Sequence, residues 1–159
     1  MSPSRGPGSG PPTIPALQAA LTAENTAVYG YGVAGAHLTG AKRAAAIRNW
    51  VAHENARDAL TAMLTARGGQ PVAAAAAYNL PFPVRDASAA MSLVALLEDR
   101  VTAVYLGLVA LSEPALRAFG AAGARSAALR AAQWRGSTLA FPGLDVPAPS
   151  VPKTASRRA

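Results

Sequence analysis

Cysteine is absent from the 159-residue chain, which excludes disulfides, thiolate metal sites, iron–sulfur ligation and thiol nucleophiles together. Aromatic residues amount to only 6% and β-branched residues are sparse, so the residues that favour strands are scarce. No Gly-rich phosphate loop follows a strand, and no serine is placed with a histidine and a carboxylate as a triad would need. A long uninterrupted apolar run is missing too. The third helical stretch is broken by Glu98-Asp99-Arg100, and the Pro/Gly/Ser-rich N-terminus has no apolar signal region. The expectation is a soluble, cytoplasmic protein with no membrane partner.

What the chain does contain is alanine: 40 of its residues, within a hydrophobic content of 51%. Alanine is the best helix former, so composition and propensity agree on a single all-α domain. The formal charge is +7 and the sequence pI about 10.8, which raises the question of an anionic partner. Arg5, Lys153, Arg157 and Arg158 lie in the terminal stretches, however. Between Thr13 and Phe141 there are 11 basic and 7 acidic residues, with no dense run. A solvated basic surface is expected, without specific nucleic-acid recognition.

Residues 1–12 and 145–159 read as disordered tails, because Pro, Gly, Ser and Arg bury too little apolar area to offset the entropy of ordering. Residues 13–144 read as the folded domain. Leu17, Leu21, Glu24, Val28, Tyr31 and Leu38 place a first helix over about 14–38. Ile47, Trp50, Val51, Glu54 and Leu64 mark a second over about 41–67, stopped by Gly68-Gly69. Asp86 caps a third to about Leu111, with Met91, Val94, Glu98, Val101, Tyr105 and Leu108 on one side. Ser112 caps the fourth, with Glu113 and Pro114 in its first turn, and it runs to about Arg135 with Leu116, Phe119, Gly123, Ser126, Arg130 and Gln133 inward. Pro71, Pro81 and Pro83 keep most of the connection between helices two and three extended, although its alanines could form a short helical turn before Tyr78. A second helix of 27 residues is about 40 Å long, a distance the connection can span. Helices two and three should therefore be parallel, the other sequential pairs antiparallel.

Glu24, Glu54, Glu98 and Arg130 each fall near the middle of a helix, at matching distances from the turns. With Arg57 and Gln133 added, they suggest a polar layer through the core. Inward carboxylates at such spacing are what di-metal carboxylate bundles use. Together with Ala-Glu-Asn-Thr-Ala-Val-Tyr-Gly-Tyr-Gly from Ala23, Tyr-Asn-Leu-Pro-Phe-Pro-Val from Tyr78, and the closing Trp-Arg-Gly and Phe-Pro-Gly, the chain resembles the ferritin-like superfamily. It looks like a small family of domains of unknown function from high-GC bacteria. The resemblance implies a ferritin-like four-helix bundle with a long crossover. Metal-binding members carry Glu, Glu-x-x-His, Glu and Glu-x-x-His; here the corresponding residues are Glu24, then Glu54 with Arg57, then Glu98, then Arg130 with Gln133. Guanidinium cannot ligate a cation, so a degenerate site without metal or cofactor is implied, the arginines replacing the metals' charge. The alternative is a di-iron or di-manganese oxidase or iron-binding protein using Glu24, Glu54, Glu98 and His53.

His53-Glu54-Asn55-Ala56-Arg57 begins like the zinc-protease motif but lacks its second histidine. Thr26-Ala-Val-Tyr29 recurs as Thr102-Ala-Val-Tyr105, and Glu24 to Tyr31 repeats the seven-residue spacing of Glu98 to Tyr105, as in two related hairpins. The reading leans to a non-catalytic binding or assembly module, self-associating as a dimer through an alanine-rich face.

Overall fold

The computed structural model describes residues 12–139 and 142–144. The expected tails, 1–12 and 145–159, lie outside these residues except for Pro12. Four helices account for the fold: α1 Thr13–Gly35, α2 Gly40–Thr65, α3 Ala87–Val109 and α4 Pro114–Arg135. The described residues include no strand, so the chain is all-α.

Local chemistry sets the helix ends. The Asp86 side chain accepts from the Ala89 N–H at 2.8 Å, satisfying one of the amides left free at the start of α3. Pro114 opens α4, where its missing N–H costs nothing. At the far end of α4, Gly136 takes φ +76° and its N–H returns to the Ala132 carbonyl at 2.8 Å. Gly68 (φ +72°) performs the same turn after α2, while the Gly69 N–H reaches the Leu64 carbonyl at 2.9 Å.

Side-chain pairs fix the directions. Tyr31 meets Glu98 while Tyr105 meets Glu24, so α1 and α3 are antiparallel. Glu24 with His53 and Tyr31 with Asn49 make α1 and α2 antiparallel; it follows that α2 and α3 run parallel. Residues 66–86 make the required crossover along α1. The Gln18 side chain bonds the backbone at Gln70 and Val72, and the Tyr29 and Tyr78 rings lie 5.6 Å apart. No helical turn forms before Tyr78. Five alanines between prolines are too few to offset helix nucleation.

The helices do not pack equally. Backbones approach closely between α1 and α2, α1 and α3, and α3 and α4, whereas α2 and α4 stand apart and leave a cleft. At Gly120 an added Cβ would come within 3.0 Å of the Tyr105 carbonyl oxygen and the Val109 nitrogen; only glycine permits that approach of α4 to α3. The core falls into two apolar clusters. One contains Leu17, Leu21, Leu60, Leu64, Tyr105 and Leu108, the other Tyr31, Ala34, Leu38, Ala46 and Val94.

Candidate functional site

Between the two clusters lies a layer of charge. His53 is 1% exposed, Glu24 2% and Glu98 0%. His53 Nδ1 is 2.6 Å from Glu24 Oε2 and its Nε2 is 3.1 Å from Glu98 Oε1. Ionised carboxylates only accept hydrogen bonds, so both imidazole nitrogens must carry protons. Burial alone would lower the histidine's pKa, but its bonds to Glu24 and Glu98 outweigh that and push it up to about 9. His53 is therefore an imidazolium at neutral pH.

Arg130 supplies the second cation, its Nε donating to Glu98 Oε1 at 2.6 Å. Burial opposes ionisation of Glu98, yet His53 and Arg130 hold its carboxyl below the usual range. Two tyrosines complete the arrangement crosswise: the Tyr31 hydroxyl donates to Glu98 Oε1 at 2.6 Å and the Tyr105 hydroxyl to Glu24 Oε1 at 2.5 Å. Burial, then the adjacent Glu98 for Tyr31 and Glu24 for Tyr105, raise both phenol pKa values, so both remain neutral donors. The seven-residue spacing of Glu24 to Tyr31 and of Glu98 to Tyr105 generates this exchange once α1 and α3 run antiparallel. Tyr31 in turn accepts from Trp134 Nε1 at 3.0 Å and Asn49 Nδ2 at 3.3 Å.

The expected layer needs correction on two helices. Glu54 and Arg57 are half-exposed, 3.7 Å apart, and Arg57 bonds Asp58 at 2.8 Å. Neither joins Glu24 and Glu98. The inward line of α2 is Ala46, His53, Leu60 and Leu64; Leu64 is as expected, but Ala46 and His53 stand one residue before the expected Ile47 and Glu54, and one residue is about 100° of helix. Ile47 and Val51, 53% and 43% exposed, are the apolar residues that point to the wrong face. On α4 the buried residues are Leu116, Gly120, Ala124, Ala127 and Ala131; Leu116 and Arg130 lie inward as expected and Gly123 sits against the Tyr105 ring, whereas Ser126 is exposed. Gln133 is exposed, and Trp134 takes its expected place. Glu24, Glu98 and Arg130 do converge. His53 is their centre; Tyr31, Tyr105, Asn49 and Trp134 were not expected in the layer.

Chemically, the layer holds two carboxylates and two cations and is neutral. Both oxygens of Glu24 and both nitrogens of His53 are engaged within it, and Arg130 cannot ligate a metal. The residues present therefore do not fit a di-metal centre, and no group of three or more His, Asp or Glu among the described residues is arranged to hold a metal ion. Glu98 Oε2 is buried without a hydrogen-bond partner among these residues. Above the layer the cleft between α2 and α4 forms a cavity of about 260 Å³, floored by Glu24, His53, Tyr105 and Arg130 and walled by Ala52, Ala56, Ala122 and Ser126. No helix among the described residues is long and apolar enough to cross a membrane.

In fold, the chain is similar to the crystal structure of a conserved hypothetical protein, rv2844, from Mycobacterium tuberculosis. The two share 28% identity with a TM-score of 0.75, over 77% of this chain and 93% of that one. No curated protein matches it. Residues 16–146 match the family model described as a domain of unknown function, DUF4439. With most of its length inside that match, including three of the four helices whole and α1 from its second turn on, the chain belongs to the DUF4439 family.

Proposed function

We propose that the protein is a ferritin-like, non-catalytic binding or assembly module whose layer is a degenerate di-metal site. The observation that carries this reading is the seating of the His53 imidazolium and the Arg130 guanidinium on Glu24 and Glu98, where a metal bundle would hold its cations. A neutral layer whose groups bond one another has little call for a further divalent ion. The cleft walls support the binding role, since Ala52, Ala56, Ala122 and Ser126 leave room between α2 and α4. Self-association is the proposed form of assembly.

Metal content after purification without chelator, and thermal melts with and without Mn(II), test the first half. A melt indifferent to Mn(II) is expected. Two equivalents of iron or manganese, lost in Glu98→Ala, would overturn the reading, because a cation bound only by the folded state must raise its stability. Sedimentation equilibrium tests the second half: a dimer weakened by Ala122→Arg is expected, and a monomer at all concentrations would sink it.

A further inference from the structure

We propose a second site: the cavity at the end of the molecule between the start of α2 and the end of α4 binds a small organic anion with a flat apolar body, such as an aromatic carboxylate. The inference concerns a different cavity from the charged layer and holds whether or not metal binds there. Its volume is about 590 Å³, within the range of about 300–1,000 Å³ that small-molecule sites occupy.

The lining shows what would fit. Lys42, Arg48 and Arg135 contribute cations, and no acidic side chain among the described residues lines the cavity. Arg135 is neutralised by Asp99. Lys42 and Arg48 have no carboxylate within ion-pair distance among the described residues; the Lys42 ammonium instead sits against the Met91 thioether, a weak acceptor that offsets no charge. Two uncompensated cations thus face a space whose apolar walls include Met91 and Trp134. An anionic group would meet the cations while an apolar ring packed on those walls.

The walls are also fixed in advance. Trp134 and Asn49 both donate to the Tyr31 hydroxyl, which is anchored on Glu98. Their positions need not be ordered when a ligand arrives, which reduces the entropic cost of binding.

The chain has two tryptophans, so Trp50→Phe leaves Trp134 as the only indole donor. In the full chain carrying that change, titration with 8-anilinonaphthalene-1-sulfonate should quench Trp134 by energy transfer and saturate at one probe per chain. 1-Naphthoate should displace the probe; neutral 1-naphthalenemethanol and inorganic phosphate should not at equal concentration. Lys42→Gln with Arg48→Gln should weaken the probe at least tenfold without altering the melting curve, since both side chains are exposed. Ala41→Trp, which fills the cavity from its rim, should abolish binding. Equal binding to the double variant, equal competition by the neutral alcohol or by phosphate, or no response up to millimolar probe would each overturn the proposal.

Discussion

His53 makes stability depend on pH in a direction opposite to that of most buried histidines. In an unfolded chain its pKa is about 6.5, and in the layer it stands near 9 because Glu24 and Glu98 accept from its two nitrogens. Its contribution is complete below about pH 6.5 and is lost as pH rises through 9, for a total of about 3 kcal/mol. Urea midpoints measured at pH 6 and pH 9.5 should fall accordingly in the wild type, and His53→Gln should remove most of that fall. Glu98, held below the usual carboxylate range, acts on the acid side: its contribution is present above the unfolded pKa and lost as pH drops through the depressed value.

The two arginines first grouped in one layer should separate cleanly on mutation. Arg130→Leu leaves Glu98 with half its cationic partners and should cost about 3–5 kcal/mol. Arg57→Ala removes a half-exposed pair with Asp58 and Glu54 and should cost under about 1 kcal/mol. Equal losses in denaturant titrations would contradict the different placements. Glu24, Glu98 and Arg130 are legible in the sequence because a charge recurring on an apolar stripe is conspicuous. His53, named only as an alternative metal ligand, is not legible as the centre, because Ile47 and Val51 draw the eye to the neighbouring face and the inward Ala46 carries almost no hydrophobic signal.

Among the elements, the α3–α4 contact is the most sensitive to small changes. Gly120→Ala would set a Cβ 2.7 Å from that of Leu108 and 3.0 Å from two backbone atoms, which cannot yield as a side chain could. A loss of about 1–3 kcal/mol is expected. Gly107→Ala, also within a helix but with nothing within 4 Å of the added carbon, should gain about 0.5–1 kcal/mol through reduced freedom of the unfolded chain. Thermal melts of the two variants should therefore move in opposite directions. The helices themselves are readable from their punctuation: Asp86, Pro114, Gly68 and Gly136 mark ends within about a turn of those observed. Glycine at 120 and 123 suggests close approach of helices, but sequence alone does not name the partner, since that requires knowing that α4 turns its 120, 124, 127 line to α3.

For the molecule as a whole, crossover length and the reversal of each short turn make the topology readable, while the gap between α2 and α4 is not, because absence of contact leaves no mark in a pattern of alanines. One consequence follows from the layer's position between the two apolar clusters. Leucine, valine and alanine recur along the buried faces of α1 and α3, so an alignment shifted by one turn would still set apolar groups against apolar groups. The layer removes that degeneracy. A slip of one turn by α1 against α3 would part Glu24 from Tyr105 and Tyr31 from Glu98 at once, stranding charge and hydroxyls in a dry interior, so a single vertical alignment is selected. If uniqueness more than strength is what the layer provides, replacing it wholesale with Glu24→Leu, Tyr31→Phe, His53→Leu, Glu98→Leu, Tyr105→Phe and Arg130→Met should leave the melting temperature equal or higher. The amide spectrum should then show doubled or broadened resonances from helices that share several alignments, and one sharp set would show that the apolar surfaces alone choose their register.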